Sequence, residues 1–137
     1  MSHELPLVLT YGMGIGPEVS LKALERLKGH HPPVILVGKD SSPLIRDANL
    51  PIWSETEFNP VSWLPLSDSK NEPAEVSAIR LGAEYCLQGK AFALVTGPIN
   101  KSKLIASGFQ FHGHTEFLGH ICGGVRTVMG FVGGSFR

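Results

Sequence analysis

Apolar residues in this chain fall into short runs, and segments with helical periodicity separate them. The runs at 5–10, 32–38 and 91–97 are compact and are bounded by turn residues. They predict three strands, and those at 32–38 and 91–97 lack the alternation of a half-exposed strand, which favours burial on both faces. A further run at 126–133 predicts a last strand.

Two segments between these runs have clear helical periodicity. In the first, Pro17 is predicted at the first helical position, where its fixed φ suits a helix, and the helix is expected to end at Gly29. Its apolar residues are expected on one face: Val19, Leu21, Leu24 and Leu27. The second helix is predicted over 72–87, with an apolar stripe formed by Val76, Ile79, Ala83, Cys86 and Leu87.

The remaining segments predict smaller elements. A short helix is expected after a cap at Asp40 or Ser41, and two more are expected at 100–106 and 115–122. The stretch 51–73 is rich in proline and weakly periodic, which is typical of short edge strands and loops.

This alternation of strands and helices predicts an α/β fold, with a layered, mostly parallel sheet flanked by helices. The chain has 137 residues, which favours a single unit over 1–137. A parallel sheet needs cover on both faces, yet no helical pattern follows the last apolar run. We therefore expect a domain that is cut short.

Charge and hydropathy exclude several classes of partner. Lys+Arg and Asp+Glu are each 12, so the formal net charge is zero, and without a basic run neither nucleic acid nor a membrane is expected as a partner. The N-terminus lacks a basic region followed by a long apolar core, which predicts a soluble cytoplasmic protein. Cys86 and Cys122 lie far apart in sequence and are expected to be buried, reduced thiols.

Three glycines follow the first predicted strand at alternate positions: Gly12, Gly14 and Gly16. They allow a ligand to approach the N-terminus of the next helix, where free amides and the helix dipole favour an anion. The spacing differs from the dinucleotide fingerprint. A strand-to-helix turn that needs glycine for steric reasons alone is the alternative interpretation.

A second candidate segment begins where the strand at 91–97 ends. Ligands collect beyond the carboxyl ends of strands in open α/β sheets, and Thr96, Asn100 and Lys101 are expected there. Lys101 supplies a mobile positive charge suited to a phosphate or carboxylate. The alternative is a solvated lysine on a short helix.

A third segment contains three histidines. His112, His114 and His120 form no recognised metal-binding spacing, so ligation of zinc by this trio is disfavoured. If a helix starts at Thr115, His114 lies near free amides, where an imidazole can hydrogen-bond an oxygen-rich substrate or act as acid or base. A histidine bonded to a backbone carbonyl is the structural alternative for His114, and His112 is interpreted as structural.

Three stretches together resemble a known family. In order they are GIGPEV at 14–19, LVTGPINK at 94–101 and GFQFHGHTEFL at 108–118. They are similar to the N-terminal part of the 4-hydroxythreonine-4-phosphate dehydrogenases of the vitamin B6 pathway, and GIGPEV alone is shared with isocitrate and isopropylmalate dehydrogenases. The resemblance covers essentially this whole chain but only the first part of the family's length. It implies an N-terminal fragment of a two-domain enzyme with the isocitrate/isopropylmalate dehydrogenase-like fold.

The resemblance also implies site residues and cofactors. His114 and Thr115 match the substrate-binding residues of the family's GHTE motif, and Lys101 matches a lysine near the cleft. The family oxidises and decarboxylates 4-phosphooxy-L-threonine or a related phosphorylated hydroxy acid, using NAD or NADP and a divalent metal such as zinc, magnesium or cobalt. Its metal ligands and most of its cofactor contacts lie in later segments, and its members are homodimers with a shared cleft. The chain alone is therefore expected to hold no metal and to associate with itself.

The sequence departs from the family pattern at one place, and it leaves three hypotheses for the function. The family commonly carries an acidic–proline pair in the first glycine turn, and the stretch TYGMGIGP at 10–17 lacks it. The first hypothesis is a metal-dependent, NAD(P)-linked dehydrogenase. The second is a truncated, noncatalytic remnant that at most binds a phosphate-like anion, and on this view the isolated chain is inactive. An isopropylmalate-type dehydrogenase is a third, disfavoured by GHTEFL.

Overall fold

The computed structural model describes residues 4–106 and 113–133. The described elements are, in chain order, β1 (Leu7–Thr10), α1 (Gly16–Arg26), β2 (Val34–Lys39), α2 (Pro43–Asp47), β3 (Val61–Leu66), α3 (Ala74–Leu87), β4 (Ala93–Thr96), α4 (Lys101–Ala106) and α5 (His114–Ile121). The strands form one sheet in the order β3-β2-β1-β4, and all three pairings are parallel. The α/β class and the parallel sheet predicted from sequence are confirmed.

Burial of the strands follows their places in the sheet. β2 lies between two neighbours, and five of its six residues are buried, as its unbroken apolar run predicted. β4 was also expected to be buried, and this was wrong: β4 lies at the edge of the sheet that the described residues form, and Val95 is 45% exposed. The proline-rich stretch does contain an edge strand, β3, which pairs with β2 along its whole length.

The core has a layer on each face of the sheet. α3 covers one face, where it packs over Val8 of β1 and Ile35 and Val37 of β2. A side chain at Gly82 would clash with Leu94 and crowd Val8, so glycine lets α3 come close to the sheet at this point. On the other face Tyr11, Leu36 and Ile45 form a second cluster, to which α1 contributes Leu21.

The N-termini of the first two helices differ from the sequence prediction. α1 begins at Gly16, so Pro17 is its second residue, and the expected apolar face is only partly buried because Val19 is 49% exposed. α2 is preceded by Ser42, and neither Asp40 nor Ser41 caps it. Pro43 itself starts α2, because its ring fixes a helical φ without a side-chain cap.

Later segments are confirmed in part. α3 starts at Ala74, two residues after the predicted start, and Leu87 at its end is exposed. α5 starts at His114, one residue before the predicted start. The strand predicted at 126–133 is wrong, because 125–132 form no strand. Within the described ranges no helix is both long and apolar enough to cross a bilayer.

Candidate functional site

The strand order reverses direction at β1. The chain runs outward from β1 through β2 to β3, and then returns to place β4 on the other side of β1. The loops that follow β1 and β4 therefore leave the sheet side by side at its carboxyl edge. Such a switch point is where open α/β proteins bind ligands.

Backbone hydrogen bonds join these two loops. The N–H of Met13 donates to the carbonyl oxygen of Pro98 at 2.7 Å, and the N–H of Gly97 donates to that of Thr10 at 2.7 Å. The N–H of Asn100 donates to the sulfur of Met13 at 3.4 Å. The loop after β1 and the loop after β4 are two of the three candidate segments in the sequence. Together they form one continuous surface at this edge of the sheet, which we call the floor.

The three glycines of the first loop have different surroundings. A side chain at Gly12 would collide with the carbonyl oxygen of Pro98, and one at Gly16 would collide with that of Tyr11. These two positions are fixed by close backbone packing. Gly14 has a φ of 60° and nothing within 4 Å of its missing side chain, so it alone of the three borders open space.

An open cleft lies above this floor. Its volume is about 510 Å³, and its walls are Met13, Gly14, Ile15, Pro98, Ile99, Asn100 and Lys103. A second hollow of about 260 Å³ adjoins it and shares Met13 and Lys103. The hollow also has walls from Lys39, which forms a 3.0 Å ion pair with Asp68, and from Glu72. Cationic and anionic groups therefore both line this edge of the sheet.

His114 is the first residue of α5, and Gly113 precedes the helix as its N-cap. The Nε2 atom of His114 is buried, and no group in the described ranges hydrogen-bonds to it. A side chain on Gly113 would lie 3.4 Å from Cε and 3.5 Å from Nζ of Lys101, so the lysine passes directly over this glycine. Burial, and then the positive charge of Lys101, lower the pKa of His114 below its ordinary value. Burial and the neighbouring cation therefore both favour the neutral form of this imidazole over the charged form.

The other predicted residues have different positions. Thr115 is exposed in the first turn of α5, and His120 is exposed in its last turn. Six residues along a helix turn by about 240° in direction, so His114 and His120 lie on different faces and do not converge on one metal. His112 lies outside the described residues. In residues 4–106 and 113–133, no group of three or more His, Cys, Asp or Glu is placed to hold a metal ion.

Sequence reasoning missed two residues at the cleft. Met13 accepts the hydrogen bond from Asn100 and borders both hollows, and Lys103 also borders both. A lysine two residues after Lys101, in a short helix that follows a strand, was the available signal for Lys103. For Met13 there was none, because a thioether between glycines carries no functional pattern.

Together, the parallel sheet, the reversal of strand order and the polar cleft at that reversal define an open α/β protein with a candidate site at the carboxyl edge of its strands. A family model described as "Pyridoxal phosphate biosynthetic protein PdxA" matches residues 41–137. This match covers more than half of the sequence, and the chain belongs to the PdxA family.

Individual relatives agree with this membership. A 4-hydroxythreonine-4-phosphate dehydrogenase of Zymomonas mobilis is 33% identical over 86% of this chain and 41% of its own length. A putative D-threonate 4-phosphate dehydrogenase of Bradyrhizobium diazoefficiens is 28% identical over 99% of this chain and 46% of its own length. The crystal structure of a Klebsiella pneumoniae 4-hydroxythreonine-4-phosphate dehydrogenase superposes with a TM-score of 0.65 at 30% identity, covering 86% of this chain and 44% of that one. The chain spans less than half the length of the relatives that it matches.

Proposed function

We propose that this chain supplies substrate contacts for the oxidation of a phosphorylated hydroxy acid, with 4-hydroxythreonine 4-phosphate of pyridoxal phosphate biosynthesis as the first candidate. Two of the relatives are named as dehydrogenases of 4-hydroxythreonine 4-phosphate, and another is named for D-threonate 4-phosphate. Both compounds are phosphate esters. A site for either one needs cationic and hydrogen-bonding groups that converge on an anion.

The observation that supports this proposal best is the pair formed by His114 and Lys101. A buried imidazole nitrogen that has no partner among the described residues carries a desolvation cost, and a ligand can offset this cost by bonding to it. Lys101 supplies the positive charge beside it. A phosphate oxygen accepts from Lys101, whereas Nε2 of His114 donates to or accepts from a substrate oxygen according to its tautomer, and Thr115 adds a hydroxyl at the start of the same helix.

The proposal names the class of cofactor but assigns no cofactor-binding residue in this chain. NAD or NADP would accept the hydride. The described residues contain no set of metal ligands, so we assign them the binding and orientation of substrate and no step through a metal. Homodimer formation, the isocitrate/isopropylmalate dehydrogenase-like fold and a cytoplasmic location belong to this proposal as well. The loop that contains Gly12, Gly14 and Gly16 is proposed as a secondary anion contact, with Gly14 at its open position.

Titration of the chain with 4-hydroxythreonine 4-phosphate tests the substrate contacts. We expect the imidazole NMR signals of His114 to shift on binding, and Lys101→Ala to weaken binding about tenfold or more, because a hydrogen bond to a charged group contributes roughly 1.5–3 kcal/mol. Lys22→Ala is the matched control, since Lys22 is exposed and pairs with Glu18 on α1. Equal affinities for the two lysine variants, with unmoved His114 signals, would contradict the proposal.

A second candidate function is anion binding without turnover, because His114 beside Lys101 can bind a phosphate-like anion whether or not a reaction follows. Reduction of NAD(P) by the 137-residue chain, with substrate and a divalent metal, separates the two candidates. Reduction that Lys101→Ala diminishes supports the dehydrogenase. Saturable binding of substrate with no reduction supports the anion-binding protein.

A further inference from the structure

Two helices supply the charged and imidazole groups of the candidate site, and each has a buried apolar residue one turn further on. α4 begins at Lys101 and contains Leu104, and α5 begins at His114 and contains Phe117. Three residues turn a helix by about 300°, so the two side chains of each pair lie roughly 60° apart in direction and about 4.5 Å apart along the axis. The position of each site group is therefore tied to a buried side chain in the same turn.

Backbone hydrogen bonds close both of these turns. The N–H of Leu104 donates to the carbonyl oxygen of Asn100, just before α4, at 3.1 Å. The N–H of Phe117 donates to that of Gly113, just before α5, at 3.2 Å. A turn closed in this way fixes the dihedral angles of the residues inside it. A displacement of Leu104 or Phe117 is therefore transmitted to the start of its own helix.

Leu104 and Phe117 belong to one buried cluster. They are 2% and 1% exposed, and the cluster also contains Val76 and Ile79 of α3. α4 and α5 thus pack against the same helix, which in turn covers the sheet. Because side chains in a protein interior are close-packed, the volumes in this cluster set the separation of α4 from α5.

The ring of Phe117 is also held by a cation. The guanidinium of Arg80 lies 5.2 Å from the ring centre, and its terminal nitrogen donates to Glu72 at 2.7 Å. Glu72 accepts a further hydrogen bond from the hydroxyl of Ser77 at 2.9 Å. A guanidinium that is itself fixed by hydrogen bonds attracts the ring at a defined place on α3, so it opposes displacement of α5.

We propose that Leu104 and Phe117 are positioning residues, whose packing in one cluster sets the distance between Lys101 and His114 and so makes both groups converge on one phosphorylated ligand. Both apolar side chains are buried, so they act through Lys101 and His114 and leave the contacts with ligand to them. This inference rests on the proposed function, because it assigns a role to the residues behind the same site.

Leu104→Ala tests the proposal, and Ile45→Ala is the matched control. Leucine and isoleucine are isomers, so both substitutions remove the same atoms from a buried side chain in a short helix. Ile45 belongs to α2 and to the cluster with Tyr11 and Leu36, on the opposite face of the sheet. Leu104→Ala should weaken binding of 4-hydroxythreonine 4-phosphate about tenfold, because a binding site tolerates displacements of only about 0.5 Å. Ile45→Ala should bind like the parent chain.

The pKa of His114, measured by NMR without ligand, is a second readout that a loss of stability alone would not change. Burial and then Lys101 lower this pKa below the ordinary value of 6.5. If Leu104→Ala lets the two helices shift, the pKa of His114 should rise towards 6.5, because both causes weaken. Leu104→Met conserves the side-chain volume and should keep both the pKa and the affinity of the parent chain. Ile45→Ala should leave the pKa unchanged.

The two measurements separate this inference from the proposed function. If the parent chain binds no phosphorylated substrate but Leu104→Ala still raises the pKa of His114, the proposed function fails and the positioning by the cluster is supported. If the parent chain binds substrate, and Leu104→Ala matches Ile45→Ala in both affinity and pKa, the positioning role is overturned. Should Leu104→Ala not fold, Leu104→Val and Ile45→Val give the same comparison, and equal results for that pair overturn it as well.

Discussion

The amide of Met13 donates a 2.7 Å hydrogen bond to the carbonyl oxygen of Pro98, and this bond ties the loop after β1 to the loop after β4. The two loops are more than 80 residues apart in sequence, yet they form one floor under the candidate cleft. Their contact requires the backbone of Gly12 to lie against the carbonyl of Pro98. The shape of the cleft therefore depends on a glycine that itself has no chemical function.

Replacement of Gly12 by alanine should destabilise the protein more than replacement of Gly14. Both residues have positive φ, of 63° and 60°, so both alanines cost about 1–2 kcal/mol in backbone strain. Only the alanine at Gly12 also collides with Pro98, which adds roughly 1–3 kcal/mol. Urea denaturation of Gly12→Ala and Gly14→Ala measures the difference. Equal losses in the free energy of unfolding would show that the collision with Pro98 adds nothing to the backbone strain.

Replacement of Tyr11 by phenylalanine should cost about 1–3 kcal/mol. The buried hydroxyl of Tyr11 donates to the carbonyl oxygen of Lys39 at 2.7 Å and accepts from Nε1 of Trp63 at 3.1 Å. Phenylalanine keeps the packing but leaves both partners without this bond. The free energy of unfolding reports the loss. An unchanged value would indicate that water replaces the hydroxyl.

Tyr11 should also make stability fall at alkaline pH. Burial raises the pKa of Tyr11 from 10.0 to about 12, although the hydrogen bond from Trp63 acts in the opposite direction. Between these two values the unfolded chain has lost a proton that the folded chain retains, so stability decreases as the pH rises. Denaturation at several pH values between 9 and 12, compared with Tyr11→Phe, isolates this contribution. The variant should have the shallower decline.

The ion pair between Glu72 and Arg80 should contribute about 1 kcal/mol, more than an ordinary surface pair. Nε of Arg80 donates to both carboxylate oxygens of Glu72, the shortest contact is 2.7 Å from its terminal nitrogen to Oε2, and the guanidinium lies 5.2 Å from the ring centre of Phe117 in α5. Lysine cannot make the paired contact or stack in the same way. Arg80→Lys should therefore lower the free energy of unfolding, whereas Lys22→Ala should change it little. Equal losses in the free energy of unfolding for the two variants would show that Arg80 contributes no more than an ordinary surface lysine.

His114 should make the protein less stable as the pH falls. Burial and Lys101 lower its pKa below the ordinary value of 6.5, so below that value the unfolded chain binds a proton more readily than the folded one. His114→Gln removes this titration. The variant should lose less stability than the parent chain between pH 7 and pH 5. Parallel losses would show that other groups cause the acid sensitivity.

Local sequence patterns predicted where strands and helices lie better than they predicted how those elements are paired and buried. The strand runs and the long α3 could be predicted because periodicity and turn residues are local properties of sequence. The edge position of β4 could not, since the order of strands depends on crossovers that no short segment records. The last predicted strand failed for a related reason: Val128 and its neighbours have strand character, but a strand also needs a partner edge.

The residues of the candidate site could likewise be predicted only in part. His114 and Lys101 were identified from motifs and from the ends of strands, and the structure brings them together. The glycines were harder to interpret, because spacing alone cannot separate a glycine that packs against backbone, such as Gly12, from one that borders open space, such as Gly14. That distinction depends on Pro98, a residue on the other side of the switch point.

The pairing of β1 with β4 has a consequence for how this protein is made. β1 and β4 are neighbours in the sheet, yet β4 is synthesised more than 80 residues after β1. Until then the nascent sheet has β1 as an unprotected edge, and contacts between such distant segments form slowly. The floor of the cleft, which needs both strands, is therefore among the last parts of the described fold that can assemble during synthesis.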